Sequence, residues 1–240
     1  ESCGLPGNCC ELDSDCESSS DPCIAVACVE KLCTPTVEAN CAKDLPYTQK
    51  FNTTDTLAEL YWSTVDLGNS ASANWKRVSS GDLGPDNHQR FDWTPQTTSF
   101  DSYLVTPALD ASAETTVTVQ YERELDIYTG SVDLGLYVIV DDDADGPSAS
   151  DTFWPLTDAT VSADIDAEQV QTVVPEIYLS SHLYVGFRVA GSDTYNVNYF
   201  DIDDVKVCGG VSPEWYSYPK VAAVEYNDTY SKALVVKDAD

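Results

Sequence analysis

The chain has 240 residues, 42% of them hydrophobic, with 41 acidic and 12 basic side chains and a formal net charge of −29. A charge of this size repels phosphate backbones and anionic lipid surfaces, so we expect no nucleic acid among its partners. No apolar run approaches the roughly 18 residues that span a bilayer, and we expect no direct insertion into a membrane.

Cysteines cluster at the start of the chain. Eight of the nine lie in the first 41 residues, and the ninth is Cys208. Such clustering is typical of disulfides formed in an oxidising compartment, and few large apolar residues accompany it, so covalent bonds are needed to offset the entropy of folding. We therefore predict a disulfide knot over residues 1–40 of a mature, exported protein, located outside the cell or at the cell surface.

Residues 41–210 have the pattern of a β-sandwich. Short β-rich runs recur at regular intervals between Gly, Pro, Asp, Asn and Ser, and helical periodicity is nearly absent. Residues 115–121 alternate apolar and polar side chains, whereas 134–140 are mostly apolar, as in a buried strand. We predict an all-β domain of two antiparallel sheets, in which residues 162–170 form either a short helix or a loop.

Residues 211–240 are an aromatic-rich tail with three alternative interpretations. The tail is an extra strand pair packed on the sandwich, the start of another domain, or a strand donated to a neighbouring copy. We favour packing within the same chain, because unpaired sheet edges are usually covered within their own chain.

The sharpest local motif is the acidic loop that follows residue 140. Carboxylates at its first, third and fifth positions belong to Asp141, Asp143 and Asp145, and glycine follows at the sixth, as in calcium-binding loops. The twelfth position is Thr152 instead of glutamate, with Asp151 one place early, and a predicted strand precedes the loop where an EF-hand has a helix. Because neighbouring aspartates repel one another without a cation, we favour calcium binding by these four aspartates over a solvated acidic turn.

Residues that could carry catalysis are few. The only histidines are His88 and His182, and the sequence has no GxSxG elbow, HExxH motif, metal-binding CxxC pair or glycine-rich phosphate loop. Paired carboxylates for glycoside hydrolysis have no local signature, so a glycoside hydrolase remains a weaker alternative. We predict that the protein is not an enzyme.

Five tryptophans are available to hold sugar rings by stacking. Large aromatic side chains are mostly buried, so packing in the core is the favoured explanation for most of them. Trp93 and Trp154 lie in polar, turn-rich segments, FDWTP and DTFWPL, and are our candidates for exposed contacts with a glycan. Arg90 could add hydrogen bonds to such a site.

Several blocks of sequence occur in a characteristic order. They are a tryptophan-bearing opening that includes LYW at 60–62, DSYLVTPALD at 101–110, the alternating run at 115–121, LYVGFRV at 183–189, and YFDIDDVKV at 199–207. In this order they resemble the bacterial choice-of-anchor J and cleaved-adhesin modules, which are similar in shape to the MAM domain. The run CCELDSDC at 9–16 resembles the short cysteine repeats of bacterial surface proteins. The resemblance implies a two-sheet jelly roll used in adhesion, glycan contact or spacing.

The resemblance also suggests a second calcium site, because related sandwiches often tie their first and last strands together through calcium. Asp203, in the last block, would share the ion with acceptors from the opening strand such as Asn52. Aspartates on a terminal strand that simply face solvent are an equally good explanation.

In a jelly roll the first and last strands come near one another, and Cys41 and Cys208 flank them. We predict a disulfide between these two cysteines. Seven cysteines then remain in the knot, an odd number, and the leftover is either a buried free thiol or a bond to another chain.

These observations favour a non-enzymatic extracellular surface protein, adhesive or structural, such as a subunit of a secreted assembly or filament. The partners expected are other copies of the chain, cell-surface proteins or glycans. The alternative is a calcium-stabilised glycan-binding module of a larger secreted protein.

Overall fold

A computed structural model of the protein describes residues 24–29, 32–37, 42–79, 83, 86–141 and 146–210. These residues form almost nothing but β-structure. The strands are β1 (Ile24–Val29), β2 (Leu32–Val37), β3 (Lys43–Asp44), β4 (Tyr47–Gln49), β5 (Ser63–Asp66), β6 (Trp75–Val78), β7 (His88–Asp92), β8 (Thr98–Val105), β9 (Leu109–Asp110), β10 (Val117–Ile127), β11 (Val132–Val140), β12 (Thr152–Val161), β13 (Ile165–Val174), β14 (Tyr184–Asp193) and β15 (Val197–Gly209). Short 3-10 helices cover Ser72–Asn74, Glu176–Tyr178 and Thr194–Asn196.

Two antiparallel sheets form the body of the domain. One sheet has the strand order β13, β10, β15, β7, β6, and the short β4 also pairs with β15. The other sheet has the order β12, β11, β14, β8, β5. The chain passes between the sheets from β4 to β5, β5 to β6, β7 to β8, β10 to β11, β12 to β13, β13 to β14 and β14 to β15, and from β8 to β10 by way of β9. The predicted all-β fold of two antiparallel jelly-roll sheets is confirmed.

The core lies between the sheets and follows the alternation in the sequence. In β10, Val117, Val119 and Tyr121 are buried in the core, and the residues between them face outward. The ring of Phe187, from the opposite sheet, packs edge-on against Tyr121 at 4.9 Å between ring centroids. Trp62 stacks on the same phenylalanine at 6.0 Å. Aromatic packing of this kind joins the two sheets.

The outer face of the five-stranded sheet carries a second apolar cluster. Its largest buried members are Tyr103, Tyr137 and Tyr184. The aromatic rings lie close to the backbone where the sheet has glycine: a Cβ on Gly186 would lie 3.2 Å from the Tyr103 ring, and one on Gly135 would lie 2.6 Å from the Tyr137 ring. The inner face of this sheet is therefore apolar, whereas its outer face combines the apolar cluster with ion pairs from Arg188 to Asp101 and Asp158.

Residues 162–170 are a loop only in part and contain no helix. Residues 162–164 join β12 to β13, and 165–170 belong to β13, which pairs along its length with β10. The sequence of β13, IDAEQVQTVV, mixes polar and apolar residues because β13 is an edge strand exposed to solvent over most of its length.

The cysteines agree only in part with the prediction. The backbone of β1 and β2 forms an antiparallel hairpin in the predicted knot, and Cys28 is disulfide-bonded. The rest of the predicted knot and the predicted tail at 211–240 lie outside the described residues.

Cys208, near the end of β15, is a half-buried free cysteine in this structure, so the predicted bond with Cys41 is not formed in it. Cys41 itself lies outside the described residues. The path of the neighbouring chain gives a physical reason, because Tyr47 pairs with Val207 of β15, whereas β3 pairs with β9. The chain has thus left β15 within a few residues of Cys41.

We predict that Cys208 reacts as a thiol. When the protein is unfolded in denaturant without a reducing agent, iodoacetamide should alkylate Cys208, and peptide mass spectrometry should find it singly modified. Recovery of a peptide pair that joins Cys208 to Cys41 before reduction would contradict the structure.

Candidate functional site: an aromatic platform

Three aromatic side chains stand together on the surface at one end of the sandwich. Trp93 is 43% exposed, Tyr128 57% and Tyr195 43%. Tyr195 lies between the other two, with its ring centroid 5.9 Å from that of Trp93 and 4.9 Å from that of Tyr128. We call these three residues the aromatic platform. Exposed rings in contact with one another are uncommon on a protein surface and indicate a binding site.

Strand order explains why distant parts of the sequence meet here. Trp93 follows the end of β7, Tyr128 follows the end of β10, and Tyr195 precedes β15. Because β7 and β10 both run antiparallel to β15, and β15 lies between them, their ends meet its beginning at one end of the sheet.

Buried hydrogen bonds hold the platform in position. The hydroxyl of Thr194, a fully buried residue, donates to the carbonyl oxygen of Trp93 at 2.9 Å and accepts from the backbone N–H of Thr97 at 2.9 Å. The Asp193 carboxylate accepts from the N–H of Tyr195 at 2.9 Å. The backbone that carries the rings is thus ordered before any ligand binds, which lowers the entropic cost of binding.

A shallow cavity of about 220 Å³ lies beside the platform, and another of about 290 Å³ lies beside Tyr178. The cavity beside the platform is lined by the three platform residues and Asn198. A hydrogen bond between the side chains of Tyr128 and Tyr195 raises the pKa of Tyr195. The surface offers aromatic faces, hydroxyls and one amide, and it carries no charge of its own among the lining residues.

Beneath the platform, the outer face of the six-stranded sheet holds a buried charged cluster. The fully buried Asp201 carboxylate accepts two hydrogen bonds from Arg90, at 2.7 and 2.6 Å, and lies 3.0 Å from His88 Nε2. Burial lowers the pKa of His88, but the hydrogen bond and the charge of Asp201 outweigh burial and raise it overall. The same carboxylate raises the pKa of Arg90.

Arg90 was predicted to contact a glycan, and the structure gives its guanidinium other partners. Besides Asp201, it lies over the ring of Tyr199 at 4.1 Å, and the Tyr199 hydroxyl donates to Glu124 at 2.7 Å. Arg90 therefore joins β7 to β15 beside the platform, and a direct contact with ligand stays a prediction.

The other tryptophans divide as the sequence suggested. Trp154 is exposed and stacks on Tyr178, whereas Trp62 and Trp75 are in the core; Trp215 lies outside the described residues. Sequence reasoning missed Tyr128, Tyr195 and Tyr178. The signal available for the first two was their polar turn sequences, IYTGS and SDTYN, the same kind of context that singled out Trp93.

The predicted calcium loop is described only at its ends. Asp141 accepts a hydrogen bond from the N–H of Gly146 at 3.0 Å, and Asp151 accepts one from the N–H of Ser148 at 2.6 Å. Asp143 and Asp145 lie outside the described residues. Within the described part of the chain no three His, Cys, Asp or Glu side chains are grouped as metal ligands would be, and calcium binding by this loop stays a prediction.

The second predicted calcium site combines Asp203 with Asn52. Asp203 is buried on β15, and this burial raises the pKa of its carboxyl to about 6. Its Oδ1 accepts from the backbone N–H of Asp204 at 2.7 Å. Asn52 is exposed, and its carbonyl oxygen accepts from the Asn87 side chain. The described contacts do not join Asn52 to Asp203, so a shared ion also stays a prediction.

Comparisons with known proteins add a likeness of shape. The sequence matches no protein-family model, and no curated protein matches it. Among solved structures, the K1 cleaved adhesin domain of Lys-gingipain from Porphyromonas gingivalis is 19% identical with a TM-score of 0.49, over 69% of this chain and 98% of that domain. The K2 cleaved adhesin domain of Lys-gingipain is 17% identical with a TM-score of 0.48, over 69% and 99%.

A xylan-binding domain of Paenibacillus barcinonensis Xyn10C is 10% identical with a TM-score of 0.45, over 68% of this chain and 92% of that domain. At these identities and TM-scores the likeness carries no inference about what the present chain binds.

Helices long and apolar enough to cross a membrane are not found in the described ranges.

We predict that Thr194→Val loosens the aromatic platform. The change keeps the shape of the side chain but leaves the Trp93 carbonyl and the Thr97 N–H without their partner, which should lower the free energy of unfolding by about 1–3 kcal/mol. Urea titration followed by tryptophan fluorescence measures the loss. Thr194→Ser is the matched control, since it keeps the hydroxyl, and equal stability of the two variants would contradict the role given to this hydroxyl.

We predict that Asp203→Asn stabilises the protein at neutral pH. The carboxyl pKa rises from its ordinary 3.8 to about 6 on folding. The stability that this protonated carboxyl contributes is therefore fully present below pH 3.8 and is lost as the pH rises through 6. Removing the buried charge should raise the free energy of unfolding at pH 7 by about 1–3 kcal/mol, in the presence of chelator.

The matched control for this prediction is Asp44→Asn, because Asp44 is exposed on β3, which pairs with β9 and not with β15. An unchanged pH dependence in Asp203→Asn would show that Asp203 titrates normally. If added calcium stabilises the wild type but not Asp203→Asn, Asp203 is an ion ligand.

Proposed function

We propose that the protein is a non-enzymatic extracellular binding module that adheres to neutral glycan chains through its aromatic platform. The observation that carries the proposal is the group of three exposed, mutually contacting rings of Trp93, Tyr195 and Tyr128. The C–H-bearing faces of sugar rings pack against aromatic faces, and hydroxyl and amide groups at the rim orient them. The platform supplies the rings, and its two tyrosine hydroxyls and Asn198 supply the polar groups.

Charge favours an uncharged ligand. The net charge is −29, and two cations on the strands next to Trp93 are already paired: Lys76 with Asp92 at 2.9 Å and Arg90 with Asp201 at 2.6 Å. A glycan rich in uronate or sulfate would be repelled by the surface and would find no available cation among these residues. Neutral hexose or pentose polymers meet neither obstacle.

The chemistry at the platform supports binding over turnover. Glycoside hydrolysis needs two carboxyl groups on opposite sides of the scissile bond, and the four residues that line the platform cavity are three aromatics and an asparagine. The buried His88 is held by Asp201 below the surface. A role as a subunit of a larger assembly, calcium stabilisation and extracellular location remain predictions from the sequence.

We predict that the protein binds neutral polysaccharides and that Trp93→Ala weakens the binding at least tenfold, because loss of an aromatic hot-spot contact costs about 2 kcal/mol or more and about 1.4 kcal/mol corresponds to a factor of ten. The measurement is affinity electrophoresis in gels that contain cellulose derivative, xylan, mannan or β-1,3-glucan, with polygalacturonate as the acidic comparison.

The matched control is Val173→Ala, since Val173 is an exposed apolar residue on β13, away from the platform. The proposal would be contradicted if polygalacturonate retarded the protein more than the neutral polysaccharides do, or if Trp93→Ala and the wild type were retarded equally in every neutral gel.

A further inference from the structure

A second exposed aromatic pair lies at the opposite end of the sandwich. Trp154, on the edge strand β12, is 45% exposed, and its ring stacks on that of Tyr178 with centroids 5.8 Å apart and planes inclined by 30°. Ile177, beside Tyr178, is 82% exposed. Trp154 and Ile177 are exposed to solvent beside the stacked Tyr178, and together they form an apolar surface of the kind that marks a binding site.

A cavity with polar lining residues adjoins Tyr178 of this pair. Tyr178 and Ile177 line a cavity of about 290 Å³ together with Asp141, Ser180, Ser181 and His182. The turn that presents Ile177 and Tyr178 is ordered by two backbone hydrogen bonds, from Tyr178 N–H to Pro175 O and from Leu179 N–H to Glu176 O, each 3.0 Å long. Aromatic faces rimmed by hydroxyls and a carboxylate suit a sugar ring, as they do at the platform.

The two surfaces are separated by the full length of a strand. β14 begins at Tyr184, opposite Ile139 of the cavity wall, and ends at Asp193, whose carboxylate holds the N–H of Tyr195 in the platform. A strand of 10 residues spans about 30 Å at about 3.3 Å per residue. No side chain belongs to both surfaces, so each can be occupied, or removed by mutation, independently of the other.

We infer that the domain is bivalent: the Trp154–Tyr178 surface is a second site for the same class of neutral glycan, and one domain bridges two glycan chains. The inference depends on the proposed function of the platform. Sites at opposite ends of a rigid sandwich favour cross-linking of separate chains, and simultaneous engagement raises avidity without any new contact.

The test is agglutination of beads coated with the neutral polysaccharide that retards the protein most in the gels described above. Wild-type protein, shown to be monomeric by light scattering, should agglutinate the beads and bind two equivalents of the matching hexasaccharide in calorimetry. Trp93→Ala and Trp154→Ala should each bind one equivalent and fail to agglutinate, and the double variant should bind none. If Trp154→Ala is poorly folded, Ile177→Ser takes its place, since Ile177 is 82% exposed, and this variant should weaken binding at the second site alone. Val173→Ala is the control.

A single equivalent bound by the wild type, or agglutination by Trp154→Ala equal to the wild type, would overturn the bivalent arrangement while leaving the platform as a single site. Binding of no equivalent by the wild type would overturn the proposed function itself. The two failures are therefore distinguishable.

Discussion

The position of the platform depends on the ion pair between the Asp201 carboxylate and Arg90. The carboxylate is fully buried, and a buried charge costs several kcal/mol unless it is paired and hydrogen-bonded. Arg90 and His88 meet that requirement from β7, and in the ladder Arg90 is the direct partner of Asp201. A slip of one residue between β7 and β15 would separate these groups and turn Phe91 out of the core, so the ion pair and the core select the same register. That register brings Trp93 to Tyr195.

Most of the fold could be predicted from the sequence because the alternation of apolar and polar residues along a strand is a local property. Runs such as VTVQY and LYVGFRV show which residues face inward whatever their neighbours are. The edge strand β13 was not predicted. Both of its faces are partly exposed to solvent, so apolar and polar residues do not alternate along it. The pairing of β3 with β9 was not predicted, because only tertiary contacts specify it.

The sequence could identify single residues of the candidate site but not how they are grouped. The polar, turn-rich setting of Trp93 marked it as exposed, but its neighbours come from loops about 35 and 100 residues further along the chain, and strand order alone brings them together. Arg90 shows the opposite limit. A basic residue near an exposed tryptophan suggested a ligand contact, whereas the structure has its guanidinium bound to a buried carboxylate that no spacing rule could reveal.

The outer face of the five-stranded sheet limits how the sequence can change over time. Tyr103 and Tyr137 pack close to the backbone at Gly186 and Gly135, where the sheet has no side chain. Even alanine at Gly135 would meet the Tyr137 ring and the backbone oxygen of Thr157 at less than 3 Å, at 2.6 and 2.8 Å. Because one of these atoms belongs to the backbone, a smaller residue at position 137 would not make room for a side chain at position 135. In distant homologues Gly135 should therefore outlast the surface aromatics, and it offers a means of recognising related domains whose ligands have diverged.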